Sequence, residues 1–70
     1  MAVKLNLRTC IVTRVSAGDV PVELCRIGRN TPTRMMDNAD CVAQVHGIRL
    51  AGKWMRADEP GEVWVRGELI

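Results

Sequence analysis

Apolar and polar residues alternate along the first part of the chain, and this period of two constrains the fold more than any other feature. Such an alternation indicates a β-strand with one buried face, because successive side chains point to opposite sides. The pattern over residues 3–15 predicts one long, half-buried strand. Its apolar residues occupy odd positions: Val3, Leu5, Leu7, Ile11 and Val15.

A change of parity across residues 16–19 predicts a hairpin turn, because the apolar positions are odd before this segment and even after it. A register that sets Val15 opposite Val20 keeps the apolar side chains of both strands on one face, whereas a slip of one residue would invert one strand. The same register sets Cys10 opposite Cys25 on the other face. We expect these thiols to be reduced, with a cross-strand disulfide as the alternative in an oxidised protein.

A helix and a second hairpin are predicted for the rest of the chain. Asp37 as the N-cap and Gly47 as the C-terminal stop give a helix over residues 37–46, with Pro32 as an alternative start. The turn signal at residues 58–61 joins two further alternating segments. Closing that turn as a four-residue loop brings apolar residues of the two segments opposite one another.

Together these segments predict the α+β fold class. We expect a single small domain over residues 1–70, in the order ββαββ, with a four-stranded antiparallel sheet and one helix packed on one face. A helical stripe of Cys41, Val42 and Val45 is expected to cover the apolar face of the sheet. A domain of this size buries only about 60% of its unfolded surface, so a homodimer would add useful buried area.

The face of the sheet that the helix leaves uncovered is the candidate binding surface. Alternation places Met55 and Trp64 there as a cross-strand pair among basic residues, and Trp and Arg dominate the energetics of protein interfaces. A solvated face without a partner is the alternative. The candidate partner-binding residues are Trp64, Met55, Arg66, Lys53, Arg49, Arg8 and Arg14. A separate basic loop, which solvation alone could also explain, contains Arg26, Arg29 and Arg34.

No catalytic, metal or cofactor site is predicted. His46 is the only histidine, and helical geometry would turn it about 140° away from Cys41, too far for the two to act as a pair. The cysteines lack the Cys-x2-Cys spacing of zinc knuckles, and the scattered glycines form no phosphate-binding loop. We therefore expect that the protein is not an enzyme and needs no cofactor.

These observations favour a small binding or inhibitor protein that acts by stoichiometric protein–protein interaction. Lone domains without catalytic residues are typical of small phage or mobile-element regulators, which include proteins that block a host defence complex, such as anti-CRISPR proteins. Our hypothesis is that this protein is a regulator of that type. The alternatives are a nucleic-acid-binding protein that uses the basic sheet face and a structural component of a phage particle. The chain has neither a signal-peptide pattern nor a membrane-spanning apolar stretch, so we expect a cytoplasmic protein with no membrane partner.

Overall fold

The computed structural model describes all 70 residues, which form one helix and five strands. Every strand pair is antiparallel, and the order across the sheet is β3-β2-β1-β5-β4. The chain is thus a small α+β domain in which one helix packs on one face of the sheet. The elements are β1 (Ala2–Asn6), β2 (Ile11–Val15), β3 (Val22–Arg26), α1 (Pro32–Val45), β4 (Ile48–Arg56) and β5 (Glu62–Leu69).

The sheet has five strands in the order βββαββ, and not the predicted four, because the expected long first strand is two strands. The chain reverses over residues 7–10, where the Asn6 side-chain oxygen accepts hydrogen bonds from the N–H groups of Arg8 (2.8 Å) and Thr9 (3.0 Å). Cys10 completes the reversal with a φ of 64°, a conformation that is uncommon for residues other than glycine. No glycine or proline marks this turn in the sequence.

The turn after β1 inverts the faces of β2 relative to the prediction. Leu5 lies opposite Val12, and both are fully buried on the side of α1. The even-numbered residues of β2 therefore point toward the helix. Ile11 and Val15, which were predicted to lie in the core, point to the opposite face.

The register between β2 and β3 also differs from the predicted one. Thr13 pairs with Glu23, and beyond a bulge Val12 pairs with Cys25. Cys10 therefore does not face Cys25: the first is buried, the second is exposed, and both thiols are free. The predicted thiol pair is wrong because the observed register sets Val12, and not Cys10, opposite Cys25.

α1 begins at Pro32, the alternative start, and not at Asp37. The Thr31 side-chain oxygen accepts a hydrogen bond from the N–H group three residues further on, at 3.4 Å. Pro32 fits the first turn of the helix because an N–H at that position would have no partner within the helix. His46 is the C-cap. With its fourteen residues, α1 is not a helix that could cross a membrane.

Small side chains bring α1 close to the sheet. Ala39 and Ala43 are both fully buried. Of the predicted apolar stripe, only Val42 packs against the core, whereas Cys41 and Val45 are exposed. The helix is therefore rotated relative to the prediction. The buried core consists of Val3, Leu5, Cys10, Val12, Met35, Ala39, Ala43, Ile48 and Val65.

The β4–β5 hairpin has the predicted register close to its turn, where Met55 pairs with Trp64. A bulge in β4 then shifts the register, so that Leu50, and not the predicted Gly52, lies opposite Gly67. A shift of two residues keeps each side chain on the same face, since the side-chain period of a strand is two. The predicted faces of this hairpin are therefore preserved despite the bulge.

Candidate binding surface

The face of the sheet away from α1, called here the open face, carries a row of side chains that crosses all five strands. Directly opposite residues on neighbouring strands project to the same face, so the register alone defines the row. From β4 to β3, the row is Met55, Trp64, Lys4, Thr13 and Glu23.

Apolar surface is concentrated near the β4 end of this row. The Met55 side chain is 55% exposed, and Trp64 beside it is half-buried. The neighbouring row places Ala2 between Arg66 and Val15. The strands thus place the Trp64 ring beside Met55 and near Ala2, on a face that α1 does not cover.

An open depression of about 390 Å³ lies beside the Trp64 ring. Ala2 and Val15 contribute apolar lining, and the turn between β4 and β5 contributes Asp58 and Glu59. The strands also line it with Lys4, Arg56 and Glu62, so the depression combines apolar side chains with charges of both signs. A side chain of a docked protein could enter it beside the Trp64 ring.

Two basic side chains of the open face, Lys4 and Arg49, form ion pairs. Lys4 Nζ lies 3.8 Å from Glu62 Oε2, and Arg49 Nη2 lies 3.2 Å from Glu68 Oε2. Arg66, in contrast, makes no ion pair and is exposed. The open face therefore has a rim of mixed charge and does not form a continuous basic surface.

Two residues of the predicted partner-binding set lie elsewhere. Arg14 pairs with Val3, whose side chain is buried on the α1 side, because β2 is inverted. Arg8 lies in the turn after β1, where its side chain packs beside Gly61. Lys53 is exposed within the irregular segment of β4, outside the paired register. The residues of the set that the register places on the open face are Trp64, Met55, Arg66 and Arg49.

The three arginines assigned to a basic loop are separated in the structure. Arg26 is the last residue of β3, and Arg34 lies in the first turn of α1. Arg29 alone lies in the connecting loop, where its guanidinium donates hydrogen bonds to the carbonyl oxygens of Leu7 (3.5 Å) and Arg8. Arg29 therefore ties this loop to the turn after β1, and the predicted basic cluster does not form.

A second surface feature, which sequence reasoning missed, is an apolar groove of about 270 Å³ between β3 and α1. Cys41 and His46, which were expected to diverge, both line it. To predict the groove from the sequence, both the rotation of α1 about its axis and the register of β3 would have had to be correct. Its lining residues are Leu24, Cys25, Cys41, Val42, Val45 and His46.

Neither metal-binding geometry nor similarity to a known protein assigns an activity to the chain. No three His, Cys, Asp or Glu side chains come together in an arrangement that could hold a metal ion. Comparison with known proteins finds no matching family model, no matching curated protein and no matching solved structure. The open face and the apolar groove are therefore the features from which a function is inferred.

Proposed function

We propose that this protein is a non-enzymatic binding protein that docks its open face on a partner protein with fixed stoichiometry. The Met55–Trp64 pair carries the proposal, because two large side chains lie directly opposite each other on a face that α1 leaves uncovered. Aromatic residues, Met and Arg are enriched in protein interfaces, and buried Trp side chains often dominate the binding energy. In this proposal Trp64 is the anchor.

The charged rim determines which partners fit. Lys4 and Arg49 already contact carboxylates, so they contribute little free positive charge. Arg66 lies two residues from the anchor along β5, on the same face, and has no acidic neighbour within ion-pair distance. A partner that buries Trp64 would therefore bind best with an acidic group opposite Arg66. Rim charges of this kind accelerate encounter and set orientation more than they add affinity.

Nucleic-acid binding through the open face has weaker support. Single-strand platforms combine a basic groove with several stacking aromatics, and here Trp64 is the one aromatic ring on the face. The inversion of β2 also removes Arg14 from this surface. Action on a host defence complex, as by anti-CRISPR proteins, and a role in a phage particle stay predictions, because no feature of the surface specifies the partner.

Affinity capture from extracts of the source cells tests the proposal. The tagged wild-type protein is compared with Trp64→Ala, Met55→Ala and the matched control Leu69→Ala. Leu69 is 68% exposed but lies opposite Ile48 on the α1 side of the sheet. We expect the control to retain the captured protein and both open-face variants to lose it. Circular dichroism should show that all variants keep the fold.

Two outcomes would overturn the proposal. The first is a captured protein that is retained equally by the wild type and by both open-face variants. The second is tight binding of single- or double-stranded nucleic acid in gel shifts at two salt concentrations, with affinity that falls steeply as salt rises. Such a dependence reports release of counterions from phosphates and would identify a nucleic-acid-binding protein.

A further inference from the structure

β3 forms one edge of the sheet, so the outer side of its backbone has no strand partner within the chain. Exposed edges tend to pair with other strands unless charge, proline or a cover prevents it. Pro21 lies just before β3, but the strand itself contains no proline and no lysine. The helix does not cover this edge with large side chains, since Val45 at the end of α1 is 85% exposed.

Because of the bulge in β3, its side chains do not alternate regularly between the two faces of the sheet. Glu23 and Arg26 both lie on the open face, because their partners Thr13 and Ile11 do. The two residues between them, Leu24 and Cys25, both line the groove on the α1 side. The edge strand therefore carries one acid and one base on the open face and three apolar residues, Val22, Leu24 and Cys25, on the α1 side.

A second copy of β3 would complement this arrangement. If two copies run antiparallel about a two-fold axis between Leu24 and Cys25, Glu23 of each copy lies opposite the partner's Arg26. The same register sets Leu24 opposite the partner's Cys25. Directly opposite residues in a pair of strands share a face, so this one register matches the charges on the open face and the apolar residues on the α1 side.

The apolar groove supplies the second part of this surface. Val45 and Leu24 line it, and Val22, also on the α1 side of β3, is 42% exposed. In the two-fold arrangement both copies of α1 lie on the same side of one continuous sheet, with their grooves facing each other across the axis. Covering these side chains adds apolar burial to a domain in which only 10 of 70 residues are buried.

We infer that this protein forms a two-fold homodimer through β3. Ion pairs between Glu23 and the partner's Arg26 form on the open face, and Leu24 and Val45 meet the second copy on the α1 side. An interface of this kind uses the same patch on both subunits and closes at two copies. β4 and β5 lie at the far side of the sheet, so the dimer leaves both Met55–Trp64 pairs free.

Charge reversal combined with sedimentation equilibrium tests the register. Glu23→Arg and Arg26→Glu each place like charges opposite one another twice per dimer, and we expect each to raise the dimer dissociation constant at least about tenfold. The double variant Glu23→Arg/Arg26→Glu restores both pairs and should return to within about threefold of the wild type. Glu68→Arg, which disrupts the exposed Arg49–Glu68 pair away from β3, is the matched control and should dimerise normally.

Thiol cross-linking provides a second measurement. In a Cys41→Ser background, Cys25 is the one exposed thiol, because Cys10 is buried. A short bismaleimide should join two chains through Cys25, and the addition of Glu23→Arg should suppress the product. Trp64→Ala, which tests docking through the open face, should leave cross-linking unchanged. The homodimer and the proposed function can therefore be disproved independently of each other.

Several results would overturn the homodimer. The homodimer is excluded if the wild-type protein stays monomeric at every protein concentration used in sedimentation equilibrium. A dimer that is insensitive to both single charge reversals, or a double variant that fails to recover, excludes the β3 register. Loss of dimerisation in Glu68→Arg would place the contact elsewhere on the molecule.

Discussion

Gly67 is the position in β5 at which a side chain has no space. A Cβ atom there would lie 2.8 Å from Cγ2 of Ile48, which is fully buried. We therefore expect Gly67→Ala to lower the free energy of unfolding by about 1–3 kcal/mol, the usual range for overpacking a core. Urea unfolding followed by circular dichroism measures this change.

Gly28→Ala is the matched control for Gly67→Ala. A Cβ at Gly28 meets no atom within 4 Å, and its φ is not positive, so the substitution should be close to neutral. Equal stability of the two variants would contradict the packing of β5 against Ile48.

Asn6 closes the turn between β1 and β2. Its side-chain oxygen accepts two backbone hydrogen bonds, at 2.8 Å and 3.0 Å. We expect Asn6→Ala to destabilise the protein by about 1–2 kcal/mol in urea unfolding, and Asn6→Asp to retain most of the stability. Asn38→Ala on the exposed side of α1 should have little effect. An unchanged Asn6→Ala protein would show that the turn forms without this side chain.

The two hairpin predictions had different outcomes because their turns are encoded differently in the sequence. Asp58-Glu59-Pro60-Gly61 is a strong turn signal, and the hairpin around it was predicted with its faces correct. The turn at residues 7–10 depends on the Asn6 side chain and on Cys10 with positive φ, and neither marks a turn reliably in a sequence. Odd-numbered apolar residues on both sides then suggested one continuous strand.

One missed turn explains most of the remaining errors. It inverted β2, which moved Arg14 to the α1 side, whereas the shifted register between β2 and β3 separated Cys10 from Cys25. The Met55–Trp64 pair was predictable because it lies next to a correctly recognised turn, before the bulge in β4. The odd or even positions of apolar residues therefore predict a binding face only for strands whose turns have been correctly located.

The contact of α1 with the sheet depends on two alanines, Ala39 and Ala43, that are fully buried. Ala43→Leu would insert three carbon atoms into this contact, and we expect a loss of about 1–3 kcal/mol in unfolding free energy. Gln44→Leu, one residue further along on the exposed side, is the control and should be nearly neutral. If both variants unfold alike, the helix does not present Ala43 to the sheet.

In the whole molecule, the β3 edge and the Met55–Trp64 pair lie at opposite ends of the strand order of one sheet. The β3 edge is available for a second copy, and the β4 and β5 strands carry the Met55–Trp64 pair. A homodimer through β3 would present two anchors on a continuous open face. Such a dimer would bind a partner with two matching sites far more tightly than a monomer does, because the second contact is intramolecular.

Calorimetric titration of the purified captured partner into wild type, Trp64→Ala and Leu69→Ala tests most directly whether the protein docks through Trp64 on the open face. A buried Trp anchor contributes at least about 2 kcal/mol, so Trp64→Ala should weaken binding by about 30-fold or more. Leu69→Ala should stay within about threefold of the wild type. If Trp64→Ala binds as tightly as the wild type, the open face is not the site at which this protein meets its partner.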